Sequence, residues 1–175
     1  LITMALTIKN DVADYHNNLG IALRGLGQEE SAERSFRSAI RLNPQHTKAL
    51  SNLASVCRNA GDIASGLDYA RQAATIAGSD PEAFNNLGNA EKDAGLGGDS
   101  LVSYQRDIEL NPDFALAHWN FSLALLSAGR FNEGFHEMDW RWRWPKFPGR
   151  RPSFDQPEWT GDDIKGRTLL LYPEQ

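Results

Sequence analysis

The chain has 175 residues, 41% of them hydrophobic, a net charge of -5 and a pI near 5.3. An acidic balance of this kind excludes nonspecific attraction to nucleic acid or to an anionic membrane as the main role, and the single Cys57 leaves neither an internal disulfide nor a cysteine zinc site. No run approaches the roughly 18 consecutive apolar residues of a membrane span, and residues 1–8 lack the basic start and cleavage site of an export signal, so a reducing cytoplasm is the expected location.

Residues 13–44, ADYHNNLGIALRGLGQEESAERSFRSAIRLNP, recur at a shift of 34. Leu19 becomes Leu53, Leu87 and Phe121; Gly27 becomes Gly61, Gly95 and Gly129; and Ile40-Arg41-Leu42-Asn43-Pro44 returns at a double shift as Ile108-Glu109-Leu110-Asn111-Pro112. A period of this length marks a repeat architecture, in which stability is roughly additive along the array. Ala5 to Asn10 falls where later repeats read Ala39 to Pro44. Residues 1–9 thus look like the end of a second helix, left either by an upstream repeat or by an N-terminal half-repeat cap starting at Met4.

In the first full repeat, Tyr15, Leu19, Ala22, Leu23 and Leu26 recur at three- and four-residue intervals, which predicts a helix over about 12–26 with that stripe buried. Gly27 can take the left-handed conformation that ends it. A second helix then presents Ala32, Phe36, Ala39, Ile40 and Leu42, and Pro44 stops it. Repeat two keeps the plan with Leu50, Leu53, Ala54, Cys57, Leu67, Ala70, Ala73 and Ile76, and Asp62 is placed to cap its second helix. Repeat three opens with Ser79-Asp80-Pro81-Glu82: a capping acceptor, a proline at the first helical position and an acid near the positive end of the dipole. Its Glu91, Asp107 and Gly97-Gly98 predict the least stable repeat, or one that turns its carboxylates to use. Repeat four, from about Asp113 to Trp144, is the most apolar, and its second helix is expected to end in Trp140-Arg141-Trp142-Arg143-Trp144. From Pro145 onward there are five prolines, Pro145 included, and no helical period, which reads as an extended arm packed along the last repeat. Residues 161–166 then give a turn, and Arg167 to Tyr172 a short apolar strand with no partner strand in the chain. The expected divisions are a half-repeat over 1–12, repeats over 13–46, 47–80, 81–114 and 115–144, and an arm over 145–175.

With N-N-L-G early, a mid-repeat glycine, Ala32, Phe36 and Ala39 after it and a closing L-N-P, the unit resembles the tetratricopeptide repeat from residue 13 to about 144. The resemblance implies an all-α, right-handed solenoid of antiparallel helix pairs, ending here in the Pro- and Trp-rich arm and an orphan strand. It also implies a protein-interaction module that is not itself an enzyme, holding an extended polypeptide in a concave groove lined by the first helix of each repeat. Glu91 stands where the family usually has a large aromatic, and Asp107 and Arg141 where it has alanine.

Asn18, Asn52, Asn86 and Asn120 occupy one register position in all four repeats. An amide offers a donor and an acceptor, so a ladder of them can pair with a peptide backbone irrespective of its side chains. It resembles the asparagine ladder of O-linked N-acetylglucosamine transferases; the alternative is that these amides satisfy groups on the neighbouring helix. Arg24, Arg58 and Lys92 repeat six residues further on and suggest recognition of acidic groups, against the alternative of a solvated face balanced by Asp14, Glu82 and Asp93. Trp119, Leu123 and Leu126 offer a hydrophobic anchor in repeat four, unless the arm fills it. His16, His46, His118 and His136 have no ligand spacing and read as packing or surface residues. No catalytic constellation, metal site or cofactor motif stands out, and Cys57 reads as core. Arg141, Arg143, Lys146, Arg150 and Arg151, interleaved with aromatics, are expected to stack on those rings in preference to binding nucleic acid.

The run M-D-W-R-W-R-W-P, followed by R-P-S-F-D-Q-P-E-W and G-R-T-L-L-L-Y-P-E-Q, resembles the junction of bacterial proteins that join such repeats to a glycosyltransferase-like domain. It implies an acceptor-selecting arm of a larger enzyme as one alternative function. Self-association through the orphan strand or the exposed repeat ends is another.

Overall fold

A computed structural model describes residues 12–149, 163, 165 and 166 of the chain. The half-repeat expected before residue 12 and the strand expected over 167–172 lie outside those residues. Eight α-helices follow in order: α1 (Ala13–Gly25), α2 (Glu29–Leu42), α3 (Thr47–Asn59), α4 (Ile63–Ala77), α5 (Pro81–Asp93), α6 (Gly97–Leu110), α7 (Ala115–Ser127) and α8 (Phe131–Met138), then a 3-10 turn over Asp139–Arg143. Each odd-numbered helix packs against the even one after it, and each even helix against the next odd one, which makes the right-handed solenoid of helix pairs.

Four identical turns set the pairing. The N–H of Gly27 bonds the Arg24 carbonyl, and that of Gln28 reaches back to Leu23, both at 3.0 Å. The same two bonds recur at Gly61 and Asp62, Gly95 and Leu96, and Gly129 and Arg130. This is the Schellman closure, and it requires the positive φ of 73° to 85° that these four glycines adopt. Helix starts are capped as the residue types dictate: Asp62 accepts from the Ser65 N–H, and Asp80 from Glu82 with Pro81 in the first turn. His46 caps α3 through Nδ1, which accepts from the Ala49 N–H, while its Nε2 lies 3.0 Å from Asp14 Oδ1.

Packing inside each pair alternates with a period of two repeats, 68 residues. A Cβ built on Gly20 would stand 2.5 Å from the Phe36 ring, and one on Gly88 2.7 Å from the Tyr104 ring. In the other two repeats the glycine is on the second helix. There Gly66 receives the Arg58 stem and Gly134 the Leu126 side chain, each closer than 3 Å to a built Cβ. The seam between paired helices is thus filled from alternate sides. Between pairs, Ala32, Phe36, Leu53, Val56 and Cys57 form one buried cluster, and Ala54, Leu67, Ala70 and Ala90 a second, with Leu87 and Ala94 packed on it.

Three expectations need correction. The first helix stops at Gly25, and neither Ala22 nor Leu26 of the expected buried stripe is covered; Leu26 is 73% exposed. Leu42 and Ile76 are exposed as well, because they face outward on the last turns of α2 and α4. The second helix of repeat four is only eight residues long and does not run to Trp144. Arg141 Nη1 donates to the Met138 carbonyl at 2.8 Å, which satisfies a carbonyl that a continuing α-helix would need, and the chain tightens into the 3-10 turn.

Candidate binding groove

The first helices of successive repeats touch one another: α1 meets α3, α3 meets α5 and α5 meets α7. The second helices α2, α4 and α6 make no such contact, so the array curves with the odd helices on its shorter, inner wall.

That wall is stitched by side chains 35 residues apart. Asn52 Nδ2 donates to Asn17 Oδ1 at 3.0 Å, and Asn120 Nδ2 to Asn85 Oδ1 at 3.2 Å. Two members of the asparagine ladder therefore hold the helix one repeat back with their amide nitrogens, and their carbonyl oxygens make no side-chain bond among the described residues. The other two differ. Asn18 is exposed, with a long 3.5 Å contact from Asn17 Nδ2, and Asn86 is half-buried with no side-chain bond among the described residues.

Of the basic register, Arg58 is engaged. Its Nε and Nη2 lie 2.9 and 2.5 Å from Asp93 Oδ2 on the next repeat, and its stem packs over Gly66. Arg24 is half-buried and Lys92 exposed, and neither has an ion pair among the described residues. Leu126, set in the same register, packs into the seam over Gly134 and not toward the inner wall. Trp119 meets Phe147 edge-on, with centroids 5.4 Å apart, so the start of the arm covers part of the expected hydrophobic anchor; Leu123 stays half-buried.

Behind the wall, repeat three holds a polar network that the register argument missed. Asn85 Nδ2 donates to Asp107 Oδ2 at 2.7 Å, Asn85 Oδ1 accepts from both Asn120 and Asn89, and the Tyr104 hydroxyl donates to Asn89 Oδ1 at 2.8 Å. Asp107 is fully buried and its Oδ1 has no partner among the described residues, so desolvation pushes its carboxyl up to about 6, against the lowering effect of the Asn85 bond. Glu91, also buried, accepts from Ser103 Oγ at 2.6 Å, and burial raises its pKa as well. The signal was present in the doublets Asn17-Asn18 and Asn85-Asn86, 68 residues apart.

At the end of the array, His118 stacks on Trp140 at 3.8 Å, with Nδ1 2.5 Å from Glu137 Oε2 and Nε2 2.8 Å from the Pro112 carbonyl. The Arg141 and Arg143 guanidiniums lie over the Trp142 and Trp140 rings at 4.4 and 4.3 Å. Among the described residues there is no cluster of His, Cys, Asp and Glu that could hold a metal ion, and no helix long and apolar enough to cross a membrane.

Residues 17–81 match the tetratricopeptide repeat family model. Over 168 residues, 94% of the chain, the sequence is 26% identical to Protein FlbA of Caulobacter vibrioides, and it spans 28% of that protein's length. Among solved structures, MamA is similar with a TM-score of 0.69 at 18% identity, covering 79% of this chain and 81% of that one. YrrB, a TPR protein with an unusual peptide-binding site, gives 0.68 at 19% identity over 79% and 72%. The pilF protein of Pseudomonas aeruginosa gives 0.72 at 16% over 79% and 64%. Together these establish the fold as a tetratricopeptide-repeat solenoid.

Proposed function

We propose that the chain is a protein-interaction module that holds an extended polypeptide along the inner wall of the solenoid. The observation that carries this reading is the state of the asparagine ladder. Asn52 and Asn120 are anchored by their amide nitrogens, which leaves two carbonyl oxygens pre-oriented as acceptors, while Asn86 keeps both groups for a ligand and Asn18 keeps its amide nitrogen, its oxygen being held only by the long contact from Asn17. Fixing an acceptor before binding removes the cost of ordering its side chain. YrrB, with the same fold, has a peptide-binding site, which supports the reading without specifying a ligand. Beside the ladder, Arg24 and Lys92 are the basic residues left to meet acidic groups of the partner; Arg58 serves the wall itself through Asp93.

The test is binding to an array of unstructured peptides of mixed sequence, with the double variant Asn18→Ala, Asn86→Ala. Neither residue joins the buried network, so folding should be kept and the affinity for peptides that bind the parent chain should fall several-fold. Unchanged affinity in a folded double variant would remove the ladder from the site.

A further inference from the structure

Two pairs of amides stitch the inner wall, and they differ in what they are bonded to. Asn17 accepts from Asn52, and Asn85 from Asn120, in the same register two repeats on. Asn85 also donates to the fully buried Asp107. The register equivalent of Asp107 in repeat one is Ala39, also fully buried, whose methyl group can neither donate nor accept. Asn17 and Asn52 bond no titratable side chain among the described residues. Only the second pair is wired to a group that can gain or lose a proton.

The bonds of that wire run one way. Asn120 Nδ2 donates to Asn85 Oδ1 and Asn85 Nδ2 to Asp107 Oδ2, so an ionised carboxylate at the buried end leaves a carbonyl oxygen at the groove end. A neutral Asp107 brings an O–H that must be received. On Oδ1 the proton would be a buried donor with no partner among the described residues. On Oδ2 it meets Asn85, which receives it by turning its amide over, oxygen toward Asp107 and nitrogen toward Asn120 and Asn89. The two hydrogens on that nitrogen then go to the oxygens of Asn120 and Asn89, and Asn89 Nδ2 comes to the Tyr104 hydroxyl oxygen. Every bond survives with donor and acceptor exchanged, and Asn120 ends with its NH2 free in place of its oxygen.

We infer that Asp107 is a positioning residue for the groove: acting through Asn85, it sets whether Asn120 offers the bound polypeptide a carbonyl acceptor or an N–H donor. The assignment rests on the reading of the inner wall as the polypeptide site. Asn52 has no such relay and keeps its acceptor throughout. A polypeptide seated with an N–H on both amides therefore loses one bond when Asp107 becomes neutral. Burial is the largest influence on Asp107 and favours the neutral form, as do the charges of Asp80, which caps α5, and Glu82 in its first turn. The Asn85 bond and the charge of His118 on α7 oppose it, and the carboxyl comes out at about 6.

The test follows the side-chain NH2 resonances of the nitrogen-15-labelled full chain from roughly pH 4.5 to 7.5, with Asp107→Asn beside the parent. In the parent, the Asn85 and Asn120 resonances should move together with a midpoint of about 6, while those of Asn52 stay fixed. In Asp107→Asn, which keeps an oxygen for Asn85, none of the three should move. Asn120 resonances that do not titrate overturn the relay, and so does an Asn120 titration that persists in Asp107→Asn. The comparison of Asn120 with Asn52 is made within one folded chain, so it holds whatever the stability of the variant. A second arm measures affinity for a peptide that binds the parent and lacks Asp, Glu and His. It should fall several-fold from about pH 7.5 to about pH 5 in the parent and stay level in Asp107→Asn. Titrating Asn120 resonances with an affinity that ignores pH would overturn the groove reading at Asn120, whereas fixed resonances would overturn the relay with that reading intact.

Discussion

The ring of Tyr104 lies so close to Gly88 that a Cβ on that glycine would stand 2.7 Å from two of its ring carbons, repeating the fit of Phe36 on Gly20. A rigid aromatic cannot yield by turning a terminal bond. Gly88→Ala and Gly20→Ala should therefore each destabilise the fold by about 1–3 kcal/mol. Gly98→Ala is the control: nothing lies within 4 Å of a Cβ there and its φ is not positive, so the loss of backbone freedom in the unfolded chain should stabilise by about 0.5–1 kcal/mol. Urea denaturation of the three variants, read by circular dichroism, checks both signs.

Asp107 sets a pH dependence. Its carboxyl is raised from 3.8 to about 6 by burial, so between those values the folded state binds more protons than the unfolded one. Stability is then greatest below the lower value and falls as pH rises through about 6. Asp107→Asn removes the charge while keeping an oxygen for Asn85. Relative to that variant, the parent chain should gain about 1–2 kcal/mol on going from pH 7.5 to pH 5. Denaturation curves of the two chains at both pH values should diverge in that direction; parallel curves would mean that Asp107 does not titrate in this window.

Asn17 and Asn85 hold the same register and the same kind of bond, to Asn52 and to Asn120, but only Asn85 also serves a buried carboxylate. Asn85→Ala leaves Asp107 without its donor and should cost on the order of 2–3 kcal/mol. For Asn17→Ala the loss should be nearer 1 kcal/mol. Equal losses, measured by the same unfolding curves, would mean that the Asp107 contact contributes nothing of its own.

Arg58 and Asp93 pair across repeats two and three with little exposure on the arginine side. A double-mutant cycle with Arg58→Met and Asp93→Asn should give a coupling of about 1 kcal/mol, weakened by salt. Methionine keeps most of the stem over Gly66, so the cycle reports the charge pair and not the packing.

The helix pairs, their turns and their caps were legible in the chain because each depends on neighbours within a few residues. Gly27 and its three equivalents, Asp62, and the Asp80-Pro81 start all serve bonds that close locally. The asparagine register was legible for the same reason, as a spacing. What that spacing left open was which amides are already engaged.

The 34-residue period by itself determined that this protein is an array of helix pairs, since every repeat carries the same stripe and the same turn. Only the tertiary structure decided what fills each seam and what remains bare. Arg58 and Leu126 turn onto glycines of the paired helix, and Asn52 and Asn120 are tied to the repeat before them. Ala22 and Leu26 stay uncovered although their stripe is apolar. The physical reason is that what fills a seam, and what a face leaves bare, depends on the side chains the facing helix brings to it, which spacing along one helix does not encode.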